Sequence, residues 1–483
     1  MYKSSLIEIL HTFTKQELMK FEDLISSPYF NKKSNVLKLF LEIKKYYPEF
    51  TDSNLEKEKI WRSLFPKKNF NYGIMKNLIH DLNKLCIKFI ELENYSKKKF
   101  DSELNILEQY FSRDLPKSYL KKRDDLESYL SKEKPSADLY SQKYIAGRKD
   151  MDYLYANYTL KNIKEFDFSP IYESLVLNFF ANFFLLNANI HDSKNYFKIS
   201  SEKNFPEMVM ELYSGTELKN YYTDIFYYLL KINHDQRDVS DYLKLKELCF
   251  ENFDKLNRTD RRTVLEALIN YCIRKTNSGD QGFFKDRYRY HKMLDEHDLL
   301  LNDAKHEIER YLFINTNIAA CSAGEYEWAE DFINRYRSKL PAGEGGTFVN
   351  MAYTHLFFKK GEFGKALSYL SKCDNAYGMD KINIKTYEVF LYFELKYYEE
   401  LKNLVDTSKR FINNDKMISD EVKALYRKFI DAVNMLNEYR YKSENENADA
   451  FELQEIRKYI TENNMPHKGW LVSKITQLEN SRA

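Results

Sequence analysis

Apolar residues return every three or four positions along almost the whole chain, and no stretch sustains the strict alternation of a half-buried strand. The pattern predicts an all-α protein. The opening "LIEILHTFTKQELMKFEDLISSPYFN" divides into a helix from Leu6 to about Phe13 and a second helix that Thr14 can cap, because Glu17 stands where a capping box places its acid. Ser27, Pro28 and Asn31 end that helix, and a third runs from Ser34 to Tyr47, stopped by Pro48. Two more, "LEKEKIWRSLF" and "NYGIMKNLIHDLNKLCIKFIELENY", are joined by the turn "PKKNFN", and the longer carries Ile74, Leu78, Leu82, Leu85 and Phe89 as a packing stripe. Past the polar "YSKKKFDSE", charge-rich helices are punctuated by Pro116, Pro135 and Pro170, and further helices are predicted over 171–200, 217–233, 239–255, 260–276 and 283–297. The most apolar stretch, "IYESLVLNFFANFFLLNANI" over 171–190, approaches the length of a membrane span. Glu173, Asn178, Asn182, Asn187 and Asn189 interrupt it, and with apolar residues on most sides it predicts a buried central helix.

Glycine changes the picture late in the chain. Gly324, Gly343, Gly345, Gly346, Gly361, Gly364 and Gly378 all fall between 321 and 380, in a sequence with only 13 glycines. "GEYEWAEDFINRYRSKLP" begins at Gly324 and "GEFGKALSYLSKCD" at Gly361, 37 residues later, and both read Gly-Glu-aromatic-x-x-Ala. A weaker copy, "LKYYEELKNLVDTSKRF", aligns Lys396 with the two glycines and Leu401 with Ala329 and Ala366. A glycine in the tight turn between two helices can take positive φ, and the alanine lets the helix backbones approach. Phe332, Ile333, Tyr336, Leu367, Leu370 and Cys373 form the apolar stripe of the second helices, and Pro341 closes the first copy. A helix pair of this size cannot bury its apolar face alone, so copies stack. Gly364, inside a second helix, has no role in that scheme.

Gly324, Tyr326, Ala329 and Pro341, followed by Gly361, Phe363 and Ala366, resemble the second halves of tetratricopeptide repeats over about 303–413. The first halves depart from that family, with Asn317 and Thr354 where it places a small residue. The resemblance implies a right-handed α-solenoid of antiparallel helix pairs, preceded by an N-terminal helical module (1–96) and a helical-pair region (97–302). A C-terminal helical cap (414–483) follows, with "YKSENENADAFE" as a polar loop before Trp470 and Leu471. More widely, "SPYFN", "NYCIRKTNSG", "GEYEWAEDFINRY" and "YRKFI" together resemble a family of long bacterial all-helical proteins of uncharacterised activity, which carries over no catalytic residues.

At 483 residues the chain exceeds the size at which one hydrophobic core keeps growing, which favours several units or an elongated stack. Its 75 basic and 73 acidic residues leave a formal charge of +2, so no global field attracts nucleic acid or anionic lipid. The 39 tyrosines and 34 phenylalanines show no local base-stacking pattern and are assigned to helix packing. Cys86, Cys249, Cys272, Cys321 and Cys373 are far apart, odd in number and set among apolar neighbours, which predicts buried thiols in a reducing, cytoplasmic setting. Glu8 breaks the apolar run at the start, which makes it a poor signal peptide.

Candidate chemistry is sparse. "HEIER" at 306–310 has Arg310 where a zinc-protease helix needs its second histidine. His291, His297 and His306 lie among Asp295, Glu296, Asp298 and Asp303, a grouping read as a polar helix end and its loop. "PAGEGGTF" at 341–348 lacks the Gly-Lys-Ser/Thr ending of a phosphate loop and is read as an inter-repeat turn. No enzyme activity, metal or cofactor is expected.

The leading expectation is a non-catalytic helical-repeat scaffold or adaptor that holds a protein or peptide partner. The tetratricopeptide resemblance implies that first helices line a concave face, here presenting Tyr311, Ile314, Ile318, Phe348, Met351 and His355. That set is apolar, suits an amphipathic helix, and lacks the Lys/Asn grouping that grips a terminal carboxylate. The alternative is a nucleic-acid-binding regulator whose helices between 55 and 95 present Asn71, Lys76, Asn77 and Lys84 to a major groove, with the repeats as a sensor.

Overall fold

The computed structural model describes residues 1, 3–50, 54–157, 164, 166–194, 205–234, 239–278, 280–302, 305–341, 343, 345–374, 378–415, 418–445 and 448–481. Among them are 23 α-helices and no strand, the only β-pairing being an isolated bridge between Leu301 and Ile308. The protein is all-α. Two compact units divide it: Met1–Glu133 with Asp138–Leu175, and Lys134–Ala137 with Val176–Ala483.

The first unit opens with helices Ser5–His11, Lys15–Ser26, Ser34–Lys44, Lys57–Leu64 and Tyr72–Lys97. Thr14 Oγ1 accepts the Glu17 N–H at 3.2 Å, while the Glu17 carboxylate accepts the Thr14 N–H at 2.8 Å, so the expected capping box forms. The third helix ends at Lys44, short of Tyr47, because the N–H groups of Tyr46 and Tyr47 turn back onto Ile43 and Lys44. Along Tyr72–Lys97 the buried residues are Met75, Leu78, Leu82, Cys86 and Phe89, while Ile74 lies exposed. Phe89 fixes this rotation by packing 5.2 Å from Phe13 and 5.4 Å from Phe21. A second core in this unit joins Phe100, Leu107, Tyr119, Leu126, Leu130, Leu139 and Tyr153.

The apolar helix Ser169–Lys194 is not buried on all sides. Phe180, Ala181, Phe184 and Ala188 face inward, whereas Tyr172, Leu175, Phe179 and Leu186 are exposed. Its sidedness comes from position rather than residue type, which is why hydropathy alone hid it. Among the described residues Ser169–Ala188 is the one segment long and apolar enough to cross a membrane, and 28% of it is buried within the protein. A helix Phe205–Gly215, with Pro206 in its first turn where no N–H is required, occupies part of the stretch from 200 to 217.

In the second unit helices pack in sequence. Tyr221–His234 meets Val239–Asn252 and Arg258–Asn277; Phe284–Glu296 then packs on Arg310–Ser322. Arg310–Ser322 meets both Tyr326–Tyr336 and Gly345–Lys359, and the order continues through Phe363–Leu370, Gly378–Glu394, Tyr398–Asn414 and Asp420–Asn445. The result is a repeat-like helical array. Ala329, Ala366 and Leu401, the three aligned positions, are all fully buried.

Four turns of this array share one hydrogen-bond pattern. Gly324 and Gly361 have φ of 85° and 77°, and the following N–H of Glu325 or Glu362 returns five residues, to Ala320 or Phe357. Lys396 holds the same place with φ of 60°, and Tyr397 N–H returns to Tyr392. Asp298 repeats it at φ 54°, with Leu299 N–H on Leu294. The motif therefore recurs where the sequence offers no glycine. Because a left-handed backbone costs a residue bearing Cβ roughly 1 kcal/mol, Lys396→Gly is expected to stabilise the second unit by about 0.5–1 kcal/mol. The substitution gives up an ion pair with Glu444 at 3.0 Å, but that pair is exposed and contributes little. Urea unfolding of the variant, with the midpoint unchanged or lower, would show that the turn is not strained.

Candidate partner-binding surface

The six residues expected on the first helices are divided by the structure. Tyr311 is exposed, Ile314 and Ile318 are half-buried on the same helix, and Phe348, Met351 and His355 are buried on Gly345–Lys359. Tyr311 and Phe348 are brought together edge to face, their rings 6.3 Å apart, and the Arg310 guanidinium lies 4.9 Å from one and 5.5 Å from the other. The surface thus carries a cation that its apolar residues alone did not announce. On Gly345–Lys359 the buried positions are 348, 351, 352, 354, 355, 356 and 357, so the helix is covered on more than one side and Met351 and His355 are drawn away from solvent.

Beneath this surface runs a line of buried polar side chains. His291 Nδ1 meets Thr316 Oγ1 at 2.9 Å, Asn317 Nδ2 donates to the Ala352 carbonyl at 3.1 Å, and His355 Nδ1 meets Tyr387 Oη. Asn317 and Thr354, the departures from the repeat pattern, are therefore satisfied: Thr354 Oγ1 donates to Asn350 O at 2.8 Å. Burial, reinforced by the Arg287 charge, pushes the His291 imidazole down to about 3. Burial likewise holds His355 at about 3, with Lys359 and Arg287 adding to it. Both rings are neutral at physiological pH. His291 is thus an interior residue rather than part of a polar helix end.

The remaining histidine cluster is dispersed. Asp295 accepts from Arg335 and Tyr336, His297 packs 4.8 Å from Phe253, and His306 occupies a left-handed turn. Asp303 lies outside the described residues. "HEIER" is not helical at its start, since Ile308 bridges to Leu301 and Glu309 caps the following helix. Of "PAGEGGTF", Gly343 turns at φ 87° and Gly345 opens a helix, while Ala342 and Glu344 lie outside the described residues. In the first unit Asn71 is spent on capping its own helix, with Oδ1 accepting the Ile74 N–H at 3.0 Å; Lys76, Asn77 and Lys84 are exposed. The thiols of Cys249, Cys272 and Cys321 are pushed up to about 12 by burial, which leaves them protonated and unreactive.

Sequence reasoning missed a cleft of about 490 Å³ in the first unit. Arg123, Glu127, Leu130, Lys143, Asp150 and Ile171 are among the residues around it. Burial raises the Asp150 carboxyl to about 6; Arg123 opposes that shift, and Glu127 and Asp124 add to it. Its Oδ1 is sealed from solvent with no hydrogen-bond partner among the described residues. One signal was present: Gly147, in the middle of the helix Ala137–Asn157, marks close backbone approach. A Cβ there would stand 2.6 Å from Ile171 Cγ1. Gly147→Ala is therefore expected to destabilise the first unit by about 1–2 kcal/mol, although alanine gains about 1 kcal/mol in helix propensity. Adding Ile171→Ala should narrow that loss. Thermal unfolding of both variants decides it, a gain in Tm for the single substitution being the contrary result.

Comparison with protein-family models, curated proteins and solved structures finds no match to this chain.

Proposed function

We propose that this protein is a non-catalytic scaffold or adaptor that holds a protein or peptide partner along the first helices of its repeats, in the cytoplasm. In this reading the array is a right-handed solenoid of antiparallel, tetratricopeptide-like pairs. The observation that carries it is the cross-helix group of Arg310, Tyr311 and Phe348, where aromatic surface and a guanidinium meet on neighbouring first helices. Tyrosine and arginine are the side chains that most often anchor a protein interface. Five unpaired cysteines favour a reducing compartment.

The test uses exposed Tyr311 and half-buried Ile318, because substituting the buried Phe348 or Met351 would disturb packing as well as binding. Full-length protein carrying Tyr311→Glu and Ile318→Glu is compared with wild type in affinity capture from the native cell, with circular dichroism as the folding control. Loss of the same captured protein from the folded variant is expected; its retention would remove this surface from the reading.

A second reading keeps the nucleic-acid alternative, because Lys3, Lys57 and Lys76 line one hollow of about 300 Å³ in the first unit. Duplex DNA binding that falls steeply with salt supports it, and no binding to the full chain at low salt removes it.

A further inference from the structure

At about 490 Å³ the cleft in the first unit has the size of a small-molecule site, a class of hollow that is mostly apolar with a few convergent polar groups. Its long walls are the helices Pro116–Leu130 and Ala137–Asn157, joined by the short loop 131–136. Tyr119, near the start of the first, stacks on Tyr153, near the end of the second, with ring centroids 4.0 Å apart, and its hydroxyl donates to the Lys149 carbonyl at 3.0 Å. The two helices therefore run antiparallel, and a pair of rings holds their backbones apart at the end away from the loop. One turn inward from that stack, Arg123 on one wall stands level with Asp150 on the other, and both line the cleft. Glu127 and Lys143 line it further toward the loop, while Leu107, Leu126, Leu130, Phe166 and Ile171 supply apolar surface.

The charges on these walls are not spent on one another. Asp150, Glu127 and Lys143 take part in no side-chain hydrogen bond or ion pair among the described residues. Asp150 Oδ1 is sealed from solvent without a donor, whereas Oδ2 is not sealed. Arg123 gives Nε and Nη2 to Asp124 at 3.1 and 2.7 Å, which leaves Nη1 uncommitted. Arg123 and Asp150 thus face each other with opposite charges and do not close into an ion pair, although a half-buried carboxylate without a donor is costly. Asp167, also at the cleft, is committed to the Ser169 N–H at 2.9 Å.

We propose that this cleft binds a free α-amino acid with a large apolar side chain, its carboxylate on the Arg123 guanidinium and its ammonium on Asp150. Apart from Asp167 the lining charges balance, Arg123 and Lys143 against Glu127 and Asp150. A simple amine would therefore meet two cations, and a fatty acid two carboxylates. An α-amino acid carries both signs on one carbon and meets each wall with the opposite charge. Guanidinium to carboxylate and ammonium to carboxylate are both charge-assisted hydrogen bonds, about twice as strong as neutral ones. The side chain then has Leu126, Leu130 and Ile171 to cover it. This site is independent of the partner-holding reading, because every residue in it belongs to the first unit.

Thermal unfolding of the full-length protein tests it, at a pH of about 7.5 where the Asp150 carboxyl is ionised. L-Phenylalanine and L-leucine at about 5 mM are each expected to raise Tm of the first unit by about 2 °C or more. Phenethylamine, which lacks the carboxylate, 3-phenylpropionate, which lacks the ammonium, and glycine, which lacks the side chain, should leave it unchanged. Asp150→Asn should lose the response while unfolding at or above the wild-type temperature, since an unpaired carboxylate is gone, and Arg123→Gln should lose it as well. No rise with either amino acid overturns the site. A rise with phenethylamine or 3-phenylpropionate equal to that with L-phenylalanine overturns the zwitterionic ligand class, and an equal rise with glycine overturns the role of the apolar walls. A response undiminished in either variant overturns the two-ended grip, and the ligand comparison on the unaltered protein stands even where a variant fails to fold.

Discussion

Lowering the pH from about 7.5 to about 5 is expected to cost the second unit on the order of 6 kcal/mol of stability. Three buried rings produce it. His291 and His355 are held at about 3, and burial holds His467 at about 4, its ring 5.1 Å from Phe390 and 5.3 Å from Phe429. In the unfolded chain each returns to about 6.5 and takes up a proton that the folded form refuses. Stability is therefore full above about 6.5 and falls as pH drops, by about 1.4 kcal/mol per unit for each ring, until the folded values near 4 and 3 are reached. The first unit responds in the opposite sense. Asp150, raised to about 6 when folded, binds its proton before the unfolded chain does, so its contribution grows as pH falls from about 6 toward 4. Urea unfolding followed by circular dichroism should show two transitions drawing apart in acid, the second unit melting first. Replacing any one of the three histidines by asparagine should remove about a third of that pH dependence. A second-unit midpoint equal at the two pH values would mean that the rings are not neutral and buried.

Fold class was legible because helical periodicity is local. Thr14 and Glu17 sit three residues apart and form their box whatever surrounds them, and Gly324 and Gly361 announce a left-handed turn by lacking Cβ. Lys396 and Asp298 adopt the same turn without that signal, since a left-handed conformation is enforced by the helices on either side rather than by residue type. Side-chain burial was harder to read. A one-position rotation separates Ile74 from Met75, and only the distant rings of Phe13 and Phe21 decide between them. The division into units was equally hidden, because it falls near residue 175 inside the continuous helix Ser169–Lys194. Polar partners brought together from separate helices left no trace in spacing. Nothing in "FKDRYRYHKML" distinguishes Arg287, buried without a counter-ion, from Arg289, stacked over the Phe250 ring at 4.1 Å.

The same blindness applies to the C-terminal helix, where the second large effect is expected: Glu394→Ala should destabilise the second unit by about 3–5 kcal/mol. Lys474 Nζ lies 2.5 Å from Glu394 Oε1, both side chains are only 11% exposed, and Trp470 Nε1 reaches the same oxygen at 3.4 Å. This pair ties Lys468–Asn480 to Gly378–Glu394, beside the packing of Trp470 on Phe390 and Phe393 at 4.5 and 5.3 Å. Removing the acid leaves a buried ammonium whose remaining partner is Gln477 Oε1 at 3.0 Å, so the loss reflects uncompensated desolvation more than a forfeited attraction. The double variant Glu394→Met with Lys474→Met separates these causes, because apolar side chains of similar length fill the space without any charge to desolvate. It should recover most of the lost stability. If the double variant is no more stable than Glu394→Ala, shape at the Trp470 contact rather than the unpaired cation governs how this helix docks.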